Sequence, residues 1–223
     1  MTFLELCQTV RNELGLSGEG PSSVTNQTGQ TRQLVSFVAT ADMLIQTLYA
    51  DWKFLWKEWE LQTVSGQEVY SQPSDLSMWD MESFYLDWGT NNATKLTVQN
   101  NKEDVMYAWE REVSTPAKII FLPDGNIKLN PIPDDIYTIT GSYYSTPVYM
   151  TGNTSVSAIP AQFHRIIVAR AKMLYAEAEE VFTMLQSYAV EYEQMLDKLE
   201  SHSLEGQQVH SFGQPVPLTV RSI

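Results

Sequence analysis

The chain of 223 residues is 43% hydrophobic, enough for one good core, or one domain with an insertion. With 14 Lys and Arg against 27 Asp and Glu, its net charge of −13 argues against a protein that grips nucleic acid by its phosphates, though a repelling wall suits nucleic acid sliding past. The single Cys7 excludes an intramolecular disulfide, and with only His164, His202 and His210 to add, a Cys/His metal site is not expected. No run approaches the ~18 apolar residues of a membrane span, and no basic n-region or cleavage site opens the chain. The expectation is therefore a soluble intracellular product with no membrane partner and no cofactor.

The first element is a short helix. Thr2-Phe3-Leu4-Glu5 is a capping-box pattern, and Phe3, Leu6, Cys7, Val10 and Leu14 make one apolar stripe ending at Gly15. From Gly15 to Gln30 the chain is rich in Gly, Ser, Thr and Asn. Without a preceding strand or a Gly-Lys-Ser/Thr, this reads as a linker and not as a phosphate cradle. A second helix is predicted from Thr31 to Tyr49, with Leu34, Val38, Ala41, Ile45 and Leu48 in four-three spacing. Asp51 to Trp59 then holds Trp52, Trp56 and Trp59 with Phe54 and Leu55. Aromatics at that density could stack bases or sugars, but with Lys53 and Lys57 the only bases nearby, a hinge plugged into the core is the better reading.

From Glu58 to about Met150 the apolar period changes to two, which marks a β-rich insertion. Lys118–Leu129 places two apolar runs around Asp124-Gly125, a strong hairpin signal. Ile136 to Tyr144 alternates as a further strand. Weaker strands are expected at Glu60–Val64, Glu68–Tyr70, Phe84–Leu86 and Lys95–Val98. Gln72 to Met81 reads as a loop with Trp79 packed inward, and Asn101 to Glu112 is left open between helix and strand.

Everything else is organised around the last long element, Pro160 to about Leu199. Ile167, Leu174, Val181, Leu185, Tyr188, Tyr192 and Met195, with Ala171, Ala178 and Leu199, step by four and three through about five heptads. This is a subunit-packing seam on one continuous helix of ~60 Å or on a hairpin folding back near Glu177–Glu180, where no turn residue stands. The N-terminal helix spanning Thr31 to Tyr49 is its natural partner. The class is thus α+β: residues 1–57 and 158–204 form a helical body, 58–157 the β-rich insertion, and 205–223 an extended C-terminal arm, apolar and almost uncharged.

No catalytic pattern emerges. Glu177, Glu179, Glu180, Glu191 and Glu193 lie off the seam and read as a solvated face, and no Gly-x-Ser-x-Gly elbow accompanies His164. Arg165, Arg170 and Lys172 stand near the start of the long helix, against its dipole, which points to charges facing neighbouring subunits. The expected protein is not an enzyme.

The order of motifs resembles the head-to-tail adaptor (connector) proteins of short-tailed bacteriophages. The likeness runs through Ser17-Gly-Glu-Gly-Pro21, Thr28-Gly29-Gln30, Leu34-Val35, Ala41, Ile45-Gln46 and Asp51-Trp52-Lys53-Phe54-Leu55. It continues through Thr115-Pro116, Ile127-Lys-Leu-Asn-Pro-Ile-Pro-Asp134, Tyr137-Thr-Ile, Tyr143-Tyr144-Ser-Thr-Pro147 and Ile159-Pro160, over roughly residues 1–200. The resemblance implies a virion structural protein assembled in the host bacterial cytoplasm, forming a homo-oligomeric ring, usually of twelve copies, between portal protein and tail nozzle protein. The ring surrounds a channel through which DNA passes without specific binding. It also implies a C-terminal arm that grips the portal, here Val209, His210, Phe212, Pro215, Val216, Pro217, Leu218 and Val220. The runner-up is a carbohydrate- or receptor-binding tail component using Trp79, Trp88 and Trp109. A third reading is a carboxylate hydrolase using Asp134 or Asp135.

Overall fold

The computed structural model describes residues 1–18, 20–87, 92–99 and 112–204, and these form an α+β protein. Two compact units divide it: Met1–Gln46 with Val148–Ile223, and Thr47–Pro147. The arm of residues 205–223, including every residue assigned to the portal, lies outside the described residues, as does most of Asn101 to Glu112.

In the first unit, α1 (Phe3–Glu13) opens with the expected reciprocal cap: the Glu5 amide donates to Thr2 Oγ1 at 3.3 Å, and the Thr2 amide donates to Glu5 Oε2 at 2.9 Å. Its stripe of Phe3, Leu6, Cys7 and Val10 is buried, and burial pushes the Cys7 thiol up to about 12, which keeps it an inert packing group. Helix α2 runs Gly29–Gln46, three residues short of its predicted end, and buries Leu34, Val38, Ala41 and Ile45. After a single turn at Ala161–Phe163, α3 (Arg165–Ala178) passes through the centre of the unit. It packs on α1 and α2, and burying Ile166, Ile167 and Val168 contributes roughly 1.5–3 kcal/mol each.

The long C-terminal element is a hairpin. α3 stops at Ala178 and α4 (Phe182–Ser203) returns along it, as the pairs Phe163 with His202, Arg170 with Tyr192 and Lys172 with Tyr188 demonstrate. The turn was hidden because its special residue is a glutamate. Glu180 takes φ of 57°, the Val181 amide donates to the Ala176 carbonyl at 2.9 Å, and the Glu180 amide donates to the Glu177 carbonyl at 3.4 Å. These are the two bonds of a Schellman motif, in which glycine ordinarily holds the left-handed position.

The second unit contains two sheets. One has the order β1 (Trp56–Gln62), β9 (Thr138–Ser145), β4 (Tyr85–Asp87), β5 (Ala93–Lys95), with β3 (Leu76–Trp79) also on β9. The other has the order β2 (Val69–Tyr70), β8 (Ile127–Asn130), β7 (Lys118–Phe121), β6 (Thr97–Gln99). Asp124-Gly125 closes the β7–β8 hairpin as expected, with Gly125 at φ of 86° and the Asn126 amide donating to Asp124 Oδ1 at 3.0 Å. Two expectations need correction. Gln72 to Met81 is not all loop, because it supplies β3. Lys95–Val98 is not one strand: buried Leu96 separates β5 from β6, and the chain changes sheet there.

Between the sheets lies an aromatic core. Trp79 is buried and sits within 5.1–5.7 Å, ring to ring, of Trp59, Phe84, Phe121 and Tyr143. At Gly141 a Cβ would stand 2.7 Å from Phe84 Cε1, so the ring can lie flat on β9 only because no side chain is there. Of the cluster Asp51 to Trp59, Trp52 is fully buried, stacked on Phe54 at 5.2 Å and edge-on to Tyr49 at 5.1 Å, and Leu55 is buried, whereas Trp56 is exposed.

Candidate interaction surfaces

The hairpin is locked by a charge network that sequence spacing did not reveal. Lys172, its side chain 6% exposed, donates to Glu13 Oε2 of α1 at 2.9 Å and to Glu191 Oε2 of α4 at 2.6 Å. Arg165 pairs with Glu13 and reaches Glu191 Oε1 at 3.2 Å. Four charges therefore tie α1, α3 and α4 at one point. Burial alone would raise Glu13, but the hydrogen bonds from Arg165 and Lys172 outweigh it and hold the carboxyl below its usual range. Burial likewise opposes the charge on Lys172, and the bonds to Glu191 and Glu13 more than restore it, raising its pKa. The Lys172 ammonium also stands 4.8 Å from the Tyr188 ring centroid, and the Arg170 guanidinium 5.7 Å from that of Tyr192.

This arrangement corrects two expectations. Glu191 does not belong to the solvated face, although Glu177, Glu179, Glu180 and Glu193 are exposed. Arg165, Arg170 and Lys172 turn to partners in their own unit, with Arg170 3.7 Å from Glu177. The dipole argument failed because folding back brings Glu191 beside the start of α3. A pairing across a hairpin has no fixed spacing, so periodicity could not have located it.

The predicted seam is shared between the two helices. Ile167 is buried, and Leu174, Val181, Leu185, Tyr188, Tyr192 and Met195 are half-buried. Outside it, α4 exposes Phe182 (68%), Met184 (52%) and Val190 (54%). The hairpin thus leaves large apolar side chains open.

A second buried polar group lies beside α2. Asp42 accepts from Ser157 and, at Oδ2, from Gln46 Nε2 at 2.8 Å, while the Gln46 Oε1 atom has no partner among the described residues. Burial pushes the Asp42 carboxyl above its ordinary range, against the two hydrogen bonds. His164 is buried as well: Nε2 donates to the Ile159 carbonyl at 2.9 Å and Nδ1 accepts from the Met1 amino group at 2.7 Å. Both ring nitrogens are thus committed to structure.

On the second unit, Trp79 cannot serve as a sugar platform, since it fills the core, and Trp88 and Trp109 lie outside the described residues. Asp134 accepts from the Tyr137 hydroxyl at 2.7 Å, and Asp135 accepts from the Ile136 amide at 2.7 Å, so this pair organises its own turn. An open groove of about 670 Å³ does exist on the first sheet, lined by Trp56, Glu58, Glu60, Asp80, Glu82 and Tyr85 among others. No described helix is long and apolar enough to cross a membrane, and the described residues bring together no group of His, Cys, Asp and Glu suited to a metal.

An acidic α+β protein that leaves large apolar side chains open on its helical hairpin suits the class of assembly proteins. The family model described as SU10 adaptor protein matches residues 1–220, and the chain belongs to that family. It is a phage adaptor, a structural component of the virion whose partners lie, in general terms, in portal and tail. A search of curated proteins found no match.

Proposed function

We propose that this adaptor works without enzymatic activity as a homo-oligomeric ring, of twelve copies, seated between the portal and the tail nozzle of a short-tailed phage, with DNA passing through its centre. The observation that carries the reading is the set of large apolar side chains that α4 leaves exposed. Phe182, Met184 and Val190 stay exposed on a hairpin that is already locked internally by Lys172. A neighbouring subunit completes such a surface. The charge of −13 suits the passage, because a wall of net negative charge does not hold a polyanion. In this reading the arm of residues 205–223, through side chains such as Phe212, Val216 and Leu218, orders on the portal at a backbone cost of roughly 1–2 kcal/mol per residue.

Native mass spectrometry of the purified protein, alone and with the portal of its own virus, tests the reading. The expected result is a multi-copy ring on the portal that is lost in a Phe182→Ser/Val190→Ser variant. Deletion of 207–223 should weaken portal binding. A stable monomer indifferent to the portal would overturn the proposal.

A further inference from the structure

The first sheet ends in an open strand. β1 pairs with β9 along all seven of its residues, from Trp56 opposite Tyr144 to Gln62 opposite Thr138, and nothing among the described residues pairs with its other side. Every second residue of β1 therefore turns a backbone donor and acceptor outward.

The side chains beside that edge are chemically one-sided. Trp56, Glu58 and Glu60 alternate onto one face and are all exposed. By register they stand next to Tyr144, Ser142 and Thr140 of β9, and Tyr85 of β4 lies beyond Thr140. Two of the four acids in the groove are already engaged. Glu82 pairs with Lys95, and Asp80 accepts from Ser142 Oγ at 3.0 Å and from the Glu82 amide at 3.2 Å. Glu58 and Glu60 have no cation among the described residues. They sit about 7 Å apart, the distance of a two-residue step along a strand. Trp56 at 42% exposure and Tyr85 at 38% line the same groove.

The charges choose among possible occupants. A second copy of β1 would bring glutamates against glutamates, and like charges on facing positions destabilise a strand pair. Nucleic acid is repelled outright. A neutral strand would satisfy the backbone and leave both carboxylates uncompensated. A strand with basic side chains at every second position satisfies both, and its cations can also rest on Trp56 or Tyr85. We propose that β1 is a docking edge for an extended basic segment of a partner protein, which adds a strand and sets Lys or Arg at alternate positions against Glu58 and Glu60.

The test uses the full chain and short fluorescein-labelled peptides: one alternating Val with Lys, one alternating Val with Glu, and the Val/Lys peptide with N-methylated backbone amides. Fluorescence anisotropy should show binding of the first peptide alone, and amide exchange should slow at alternate positions of residues 56–62. Glu58→Gln/Glu60→Gln should weaken binding about fivefold or more, the sum expected of two cross-strand ion pairs. Glu179→Gln/Glu193→Gln changes the net charge equally at exposed positions of the helical hairpin, one in its turn and one on α4, and should leave binding unchanged. Equal weakening by the two double variants, binding of the N-methylated peptide, or unprotected amides on β1 would each overturn the proposal.

Discussion

Lys172→Met is the sharpest test of how the helical unit is held together. Methionine keeps the stem but leaves Glu13 and Glu191 facing each other with Arg165 as their remaining cation. Breaking a buried ion pair from one side costs ~3–5 kcal/mol, and an exposed pair is worth ~0–1 kcal/mol. With the lysine side chain 6% exposed and both glutamates 28% exposed, the setting lies nearer the buried limit. A loss of about 2–3 kcal/mol is expected, or roughly 5–10 °C in Tm for a chain of this size. The two units can be followed separately. All six tryptophans fall between Trp52 and Trp109, inside the unit Thr47–Pro147, whereas every described α-helix lies in the other unit. The far-UV helical signal should therefore melt earlier in the variant while the tryptophan transition stays in place. The lock should also depend on pH. Glu13, lowered in the fold, contributes stability that is complete above its ordinary 4.5 and lost as pH falls through the folded value. Lys172, raised in the fold, contributes stability complete below its ordinary 10.5 and lost as pH rises through the folded value. A Lys172→Met variant whose helical signal melts with the wild type, or a Lys172→Met/Glu191→Gln cycle with a coupling below ~0.5 kcal/mol, would refute this account.

Glu180→Gly should stabilise the hairpin by about 1 kcal/mol, because glycine takes the left-handed position without the cost a Cβ imposes; urea unfolding followed by the helical signal checks the sign. Asp42→Asn should be neutral or stabilising at pH 7. The asparagine can accept from Ser157 and donate to Gln46 Oε1, which has no partner among the described residues, once that amide flips, and it carries no charge at any pH. Since Asp42 is raised in the fold, its contribution is complete below the ordinary 3.8 and lost as pH rises through the folded value, so the variant should lack that acid-side gain in a pH series of melts. Gly141→Ala should cost about 1–3 kcal/mol by driving Phe84 off β9, and here the tryptophan transition should move while the helical one does not.

Much of the fold could be read from residue patterns because its signals are local. The Thr2/Glu5 cap, the four-three stripe of α2 and the Asp124-Gly125 turn each lie within a few residues of one another. What escaped was set by partners distant in sequence or by rule-breaking residues. Glu180 in a left-handed turn carries no composition signal, so one long helix and a hairpin read alike. β3 is four residues, Leu76–Trp79, whose pairing with β9 spans some 65 positions of chain, too short and too remote for alternation to mark. The ion network was the least legible: Glu13, Lys172 and Glu191 come from three helices. The open edge at β1 was equally silent, since an edge strand and a central one can carry the same residues.

The few cations of this chain explain both kinds of surface it presents. Lys57, Lys95, Lys128, Arg165, Arg170 and Lys172 are all within ion-pair distance of carboxylates of their own unit. They are spent as internal fasteners, from strands to neighbouring segments in one unit and within and between helices in the other. With 27 acids against 14 bases, the carboxylates left over must face outward. Where they spread over a surface, as at Glu179 and Glu193, they repel a polyanion at a distance and bind nothing in particular. Where they alternate along a strand whose outer edge is open among the described residues, as at Glu58 and Glu60, the same excess becomes directional, because the backbone edge fixes where a complementary cation must stand. A net charge alone could not distinguish the two; the distinction comes from which carboxylates lie beside hydrogen-bonding groups that lack a partner among the described residues.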